Sequence, residues 1–245
     1  AYYYSANSHL RQHNKIAAME AFKAASESDF DNVIKEDAFF NHAKLSFDVN
    51  GDISGFEKYM ELYPESGKDD IINSYIAAAY LLSNDYNSAV AALTKIRELS
   101  DESSSNLQKA AFFRAMQLIE NRGYRAATPM LELSIENGRH DPRLEALANY
   151  WLAECYFRNG RYRQATDINL RLMENPHFLD SEQYSTAIYN LAYSYFMWGR
   201  FNGAQKWFSE YLSRSGRKQF ERDARIRLAD SYFMQNNYKE AAATY

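Results

Sequence analysis

His9, His13 and Cys155 are the side chains whose type and spacing come closest to a metal-binding or nucleophilic site. His9 and His13 are four residues apart, which places two imidazoles on one face of a helix, as metal ligands require. No HExxH motif or third ligand accompanies them, so surface histidines are the better interpretation. Cys155 is the single cysteine and lies between core positions of a helical pattern, which favours a buried and inert thiol.

The sequence carries no other signature of catalysis. A glycine-rich phosphate loop, a Gly-x-Ser-x-Gly turn and a paired-carboxylate cleft are all missing from it. We therefore predict no catalytic residue, no metal site, no cofactor and no small-molecule substrate, and we do not expect an enzyme.

The composition predicts a folded, helical chain. Of 245 residues, 46% are hydrophobic and 16% are aromatic, which is ample for a packed core. Only 9 Gly and 4 Pro are present, too few for the turns of an all-β sandwich. No apolar run approaches the 18 residues of a membrane span, so none is predicted. The sequence opens without Met or a leader pattern, so we expect that any targeting segment has been removed or was never included.

A repeating pair of small residues is the main signal in the sequence. The two members are twelve residues apart, and successive pairs follow at steps of 37, 34, 38, 38, 39 and 37 residues. A close crossing of two helices requires a side chain no larger than a methyl group, so each pair predicts one helical hairpin. The pairs are Ala6/Ala18, Ala43/Gly55, Ala77/Ala89, Ala115/Ala127, Ala153/Ala165, Ala192/Ala204 and Ala229/Ala241.

Each predicted hairpin has a stop signal between its helices. In five of the seven units the residue seven after the first small residue is Gly or Asn, types that tolerate the left-handed conformation at a helix end. These residues are Asn50, Asn84, Gly160, Gly199 and Asn236.

The motif Leu-Ala-x-x-Tyr…Gly-x-Tyr-x-x-Ala, clearest at residues 152–165, resembles the tetratricopeptide repeat (TPR). The resemblance covers essentially the whole chain but is weak in the first two units, where His9 and Ser46 replace the tyrosine. It implies an all-α fold, a right-handed α-α superhelix (TPR solenoid) of about seven helical hairpins. We expect one domain, 1–245, with units near 1–35, 36–70, 71–107, 108–145, 146–182, 183–220 and 221–245, the last incomplete.

Two further expectations concern the setting of the chain. Because the last unit is incomplete and apolar, we expect a fragment of a longer protein, with self-association through the uncapped C-terminal end as one consequence. The long repeats, with segments such as Phe56–Pro64, are similar to those of bacterial cell-envelope TPR proteins, which favours the periplasm or envelope as the compartment.

The resemblance also implies a partner-binding groove, lined by positions −3, +1, +4 and +5 relative to the first small residue. These offsets lie on one face of the first helix. Their aromatic and Met side chains would provide contact area for a protein or peptide, although the same stripe could instead be buried core. The candidate groove residues are Phe112, Met116, Tyr150, Glu154, Phe157, Arg158, Tyr189, Tyr193, Phe196, Met197, Ile226, Asp230, Phe233 and Met234.

We therefore predict a non-catalytic protein-protein interaction scaffold that binds a peptide or protein segment. The alternative is a structural spacer or self-association module of a larger multi-domain protein. A more distant alternative is nucleic-acid binding, because 13 of the 17 Arg lie in residues 123–245. The acidic neighbours of this Arg-rich end favour a solvated helix face instead. The densest basic run is Arg214, Arg217, Lys218, Arg222, Arg225 and Arg227.

Overall fold

The computed structural model describes residues 1–29, 31–214 and 220–245. Within these ranges the regular structure is helical throughout: fourteen α-helices and one 3₁₀ turn, Gly138–His140, with no strand. The predicted all-α fold is confirmed. The first seven helices are α1 (Tyr2–Arg11), α2 (Lys15–Ser26), α3 (Asn32–Asn50), α4 (Ser54–Leu62), α5 (Asp69–Leu82), α6 (Tyr86–Leu93) and α7 (Asp101–Glu120). The other seven are α8 (Tyr124–Glu136), α9 (Pro142–Arg158), α10 (Tyr162–Leu172), α11 (Tyr184–Met197), α12 (Phe201–Ser213), α13 (Glu221–Phe233) and α14 (Tyr238–Thr244).

The helices belong to two compact units, Ala1–Ala110 and Ala111–Tyr245. In the first unit each helix from α1 to α6 packs against the next along the chain, and in the second unit the same holds from α8 to α14. The order is that of consecutive hairpins. That all seven hairpins form one continuous solenoid stays a prediction. None of the helices that the structure describes combines the length and the apolar composition of a membrane-spanning segment.

The small residues lie where the sequence pattern places them, inside the hairpins. All thirteen alanines of the repeating pairs are at most 2% exposed. Gly55 shows how close the helices come, since a Cβ built on it would lie 2.9 Å from the Cβ of Ala43. The small side chains therefore mark the helix crossings, as predicted from their spacing.

Left-handed residues end the first helix of each hairpin. The backbone φ is positive at Asn84, Gly160, Gly199 and Asn236, as the stop signals predict. The expectation for Asn50 was wrong by one residue: α3 includes Asn50, and Gly51 adopts the left-handed conformation with φ of 70°. Because α3 gains one residue, its stop moves to the adjacent glycine. Two equivalent positions have positive φ without Gly or Asn, namely His13 (58°) and Arg122 (57°).

Two local features position helices α9 and α11. The Asp141 carboxylate accepts hydrogen bonds from the backbone N–H groups of Arg143 and Leu144 at 3.1 and 3.0 Å, and Pro142 occupies the first turn of α9. The connection between α10 and α11 is anchored by Phe178, whose side chain is fully buried. Its ring stacks on Tyr150 of α9 with centroids 5.9 Å apart. The start of α9 and the approach to α11 are thus held against the same core.

Candidate functional site

A cavity of about 440 Å³ opens between α9 and α11, the first helices of the fifth and sixth hairpins. It lies entirely within the second compact unit. Six of its ten lining residues are candidate groove residues predicted from the sequence; the other four were not predicted. The predicted ones are Tyr150, Glu154, Phe157, Arg158, Tyr189 and Tyr193, and the additional ones are Trp151, Thr186, Asn190 and Phe220.

Aromatic rings that contact one another form the walls. Phe157 of α9 meets Tyr193 of α11 edge to face, with ring centroids 5.8 Å apart. Tyr189 stacks on Phe220 at 4.6 Å. Tyr150 meets Trp151 edge to face at 5.2 Å. These contacts hold the ring planes in fixed directions and leave a largely apolar surface facing the cavity.

Glu154 and Arg158 supply the charge at the cavity. Arg158 Nε donates to Glu154 Oε1 at 2.6 Å, one helical turn apart on α9. The same guanidinium lies over the ring of Tyr124, 5.8 Å from its centroid. The hydrogen bond that Arg158 donates to Glu154 raises the pKa of Arg158 above its ordinary value. Burial, with the Glu154 carboxylate as a second cause, raises the pKa of Tyr150 to about 12, so its hydroxyl stays protonated.

Tyr189 is bonded to the following hairpin. Its hydroxyl donates to Asp223 Oδ2 of α13 at 2.6 Å. Burial, and after it this hydrogen bond, raises the pKa of Tyr189 well above its usual range. The polar tip of Tyr189 is therefore engaged by Asp223, and its ring serves as a cavity wall.

Arg227 of α13 covers the next pair of groove aromatics. Its guanidinium lies 5.7 Å from the ring centroid of Tyr193 and 5.6 Å from that of Phe196. Two carboxylates hold it there, Asp230 at 3.0 Å and Asp223 at 3.7 Å. Sequence reasoning assigned Arg227 only to the basic run. The available signal was its position two residues before Ala229, the first small residue of the seventh hairpin.

The remaining predicted groove residues divide by exposure. Phe112 is buried and Met116 is half-buried, both packed in the core cluster with Ala115 and Leu131. Farther along the chain the side chains open to solvent: Met197, Ile226, Phe233 and Met234 are between 39% and 54% exposed. The candidate groove is thus core at its beginning and surface at its end, with the cavity at the transition.

The basic run is largely paired with acids. Arg214 bonds Glu210 at 3.2 Å and Arg225 bonds Glu221 at 2.8 Å, in each case one helical turn apart. Arg217 and Lys218 lie outside the described residues.

His9 and His13 belong to the first compact unit and Cys155 to the second. His13 lies beyond the end of α1 with φ of 58°, so the expectation that it shares a helical face with His9 was wrong. Cys155 is fully buried, and burial raises the pKa of its thiol to about 12, where the reactive thiolate is suppressed. Among the described residues, no group of three or more His, Cys, Asp or Glu side chains is placed to hold a metal ion.

Comparison with known proteins identifies the repeat. A sequence model of the tetratricopeptide repeat matches residues 223–245, which include α13 and α14. No curated protein sequence matches the chain.

Several solved structures are similar to the chain. BtubC from P. vanneervenii shares 14% identity, covers 100% of this chain and 88% of its own, and superposes with a TM-score of 0.51. The MamA protein shares 18% identity over 73% of this chain and 88% of its own, with a TM-score of 0.47. A tetratricopeptide repeat protein from Parabacteroides merdae shares 14% identity over 98% and 87%, with a TM-score of 0.40.

Proteins built from this repeat are generally non-catalytic scaffolds for protein interaction. The tetratricopeptide repeat is matched at residues 223–245, and the helical hairpins with buried alanines at their crossings are typical of the fold of that repeat.

Proposed function

We propose that the chain is a non-catalytic scaffold that binds a peptide or protein segment in the cavity between α9 and α11. One observation carries the proposal: six side chains picked from the sequence as groove positions, on two different helices, surround a single cavity of about 440 Å³. This volume is within the range of pockets that take small ligands or anchoring side chains.

The chemistry of the cavity favours a protein partner. Aromatic side chains and Arg are the residue types that contribute most to binding at protein interfaces, and both are present in Tyr150, Tyr193 and Arg158. The exposed Met197, Phe233 and Met234 extend this apolar surface toward the end of the chain. A bound segment that begins in the cavity would bury these side chains as it continues along α11 and α13.

The proposal is tested by filling the cavity without removing any of its walls. Thr186 lies on α11 and lines the cavity, whereas its neighbour Ser185 is exposed and does not. Thr186→Trp places an indole in the cavity, and Ser185→Trp is the matched control on the same helix. The parent chain and the two variants are each used to select binders from a displayed library of random 12-residue peptides.

We expect the parent chain and Ser185→Trp to capture the same peptides, and Thr186→Trp to bind them at least tenfold more weakly with an unchanged melting temperature. Equal binding by Thr186→Trp would contradict a role for this cavity. Failure of the parent chain to select any peptide would contradict peptide binding altogether.

A structural or self-association role is the second candidate, and the C-terminal hairpin supports it. Five apolar side chains of this hairpin are 39–68% exposed. If they join two copies, the mass in solution rises with protein concentration, and Phe233→Glu with Met234→Lys abolishes that rise. A concentration-independent monomer would exclude this role. The five are Ile226, Phe233, Met234, Tyr238 and Tyr245.

A further inference from the structure

Three hairpins carry a tyrosine at position −3, three residues before the first small residue, and two of these tyrosines make the same bond. The Tyr3 hydroxyl donates to Asp37 Oδ2, and the Tyr189 hydroxyl donates to Asp223 Oδ2, both at 2.6 Å. Each aspartate is at position −6 of the next hairpin. At these two junctions a phenol bonded to a carboxylate joins the first helices of neighbouring hairpins.

The third tyrosine, Tyr150, lacks such a partner. Position −6 of the following hairpin is Thr186, and both side chains line the cavity between α9 and α11. The Tyr150 hydroxyl donates a hydrogen bond to no acceptor among the described residues, Thr186 included. The cavity is thus found at the junction where a threonine replaces the aspartate.

Most of the Tyr150 side chain is enclosed, and its hydroxyl is left at the cavity. The residue is only 7% exposed, and its ring packs against Phe178 and Trp151. The hydroxyl is not one of the enclosed polar atoms without a partner, so its accessible part lies at the cavity. Asn190, which also lines the cavity, acts on the hydroxyl oxygen as a donor and leaves the O–H proton free. A group that fills the cavity must present an acceptor to this proton, because a buried donor without an acceptor is costly.

The charges at the cavity favour a neutral acceptor. Glu154 and Arg158 pair with each other at 2.6 Å, so neither is left to neutralise a charged occupant. The Glu154 carboxylate is one cause of the raised pKa of Tyr150, so its negative potential reaches this hydroxyl. A second carboxylate would therefore be repelled. A cationic side chain offers no acceptor, and an apolar one leaves the donor unsatisfied.

A carboxamide meets these requirements. Its carbonyl oxygen accepts from the Tyr150 hydroxyl, its NH2 group donates to the side-chain carbonyl of Asn190, and it carries no net charge. The methylene stem of such a side chain packs against the aromatic walls, which include Phe157 and Tyr193.

We propose that the cavity receives a carboxamide side chain, asparagine or glutamine, from the bound segment, and that Tyr150 and Asn190 recognise it by hydrogen bonds. The carbonyl oxygen of this side chain serves Tyr150 as Asp37 serves Tyr3. This inference rests on the proposed peptide-binding function and names the residue type that anchors the partner.

The test uses the full chain and the same displayed library of random 12-residue peptides. We expect the selected peptides to share an asparagine or glutamine at one fixed position. Replacing asparagine by leucine, or glutamine by methionine, nearly keeps the size and removes the acceptor. We expect this change to weaken binding by roughly tenfold or more, because the Tyr150 hydroxyl is then buried without an acceptor. Aspartate or glutamate at this position should also weaken binding, because Glu154 repels the added charge.

One variant shows whether the Tyr150 hydroxyl is the donor. Tyr150→Phe removes this hydroxyl and keeps the ring, so we expect it to bind the carboxamide peptide and its apolar analogue equally. Tyr156→Phe is the control and should keep the preference for the carboxamide, since its hydroxyl donates to Glu132 and does not line the cavity.

A second variant supplies the missing acceptor. Thr186→Asp places a carboxylate at the position that Asp37 and Asp223 occupy in their own hairpins. We expect it to accept the Tyr150 hydroxyl and to abolish the preference for the carboxamide. Ser185→Asp is the matched control, since Ser185 is exposed and outside the cavity, and it should keep the preference. If Thr186→Asp does not fold, Tyr150→Phe decides alone.

The outcomes distinguish the inference from the function on which it rests. Peptides that bind without a shared asparagine or glutamine, or apolar analogues that bind equally well, would overturn the inference and leave peptide binding intact. An undiminished preference in Tyr150→Phe, or in a folded Thr186→Asp, would also overturn it, since the hydroxyl would then not be the donor. A library that yields no binder at all would overturn the proposed function itself.

Discussion

The Tyr189 hydroxyl donates a hydrogen bond to Asp223, 34 residues later in the sequence, with 2.6 Å between the hydroxyl oxygen and Oδ2. Tyr3 makes the same 2.6 Å bond to Asp37, again 34 positions away. In both cases the tyrosine is at position −3 of one hairpin and the aspartate is at −6 of the next. The bond joins the first helices of neighbouring hairpins, and in the candidate site it turns the polar end of Tyr189 toward α13.

We predict that Tyr189→Phe destabilises the fold by about 1–2 kcal/mol, because a part-buried hydrogen bond to a charged acceptor is lost. Tyr3→Phe should act in the same direction in the first compact unit. Urea unfolding monitored by circular dichroism measures both. Tyr4→Phe, which alters an exposed ring beside Tyr3, is the control and should change little. An unchanged midpoint for Tyr189→Phe would show that the bond adds no stability.

Stability should decrease in alkali because several phenols are harder to ionise in the folded state. Burial raises the pKa of Tyr150 and Tyr59 to about 12, and it raises that of Tyr189 further. A group whose folded pKa lies above its unfolded value of 10 contributes its full stabilisation below pH 10. That stabilisation is lost as the pH rises toward the folded pKa, because the unfolded chain releases the proton first.

We therefore expect the free energy of unfolding to decline between pH 10 and about 12, and Tyr150→Phe to reduce the steepness of the decline. Urea unfolding at a series of pH values measures it. A stability that is constant through this interval would contradict the burial of these hydroxyls.

The crossing of Ala43 and Gly55 should not accept a second methyl group. A Cβ at Gly55 would lie 2.9 Å from the Ala43 Cβ and 3.1 Å from its Cα. Gly55→Ala should cost about 1–3 kcal/mol from overpacking, which exceeds the gain of about 1 kcal/mol that alanine normally brings to a helix. In the double variant with Ala43→Gly the methyl is moved across the crossing, and part of the loss should be recovered. Additive effects of the two substitutions, measured by urea unfolding, would contradict direct contact.

Arg122 adopts a backbone conformation suited to glycine, with φ of 57°. A non-glycine residue in the left-handed conformation costs about 1–2 kcal/mol of stability, which Arg122→Gly would recover. The greater conformational freedom of glycine in the unfolded chain offsets part of this gain, so Arg122→Gly should stabilise the fold by about 0.5–1 kcal/mol. Asn159→Gly is the control, since Asn159 has φ of −89° and gains nothing from glycine. Thermal unfolding compares them. A lower melting temperature for Arg122→Gly would indicate that its side chain contributes more than its backbone costs.

The hairpins and their crossings could be read from the sequence because they depend on local spacing. Helical periodicity determines which side chains share a face, so Leu152 and Ala153 identify the buried side of α9, and Glu154 and Phe157 identify the adjoining side that is only partly buried. Glycine and asparagine mark left-handed stops through their own conformational preference. That preference is missing at His13 and Arg122, so the repeat frame alone reveals them.

What the sequence determined by itself is the all-helical class and the alanine crossings, since both follow from side-chain size and a period of 3.6 residues. The face of each first helix that meets a partner stays a prediction from the same period. Tertiary structure alone decided that Phe220, Thr186 and Asn190 join that face in one cavity and that Phe178 stacks on Tyr150. It also decided that the buried Oδ1 of Asn169 has no hydrogen-bond partner among the described residues. These relationships unite different helices and loops, and no local period encodes how closely such segments approach when the core between them packs.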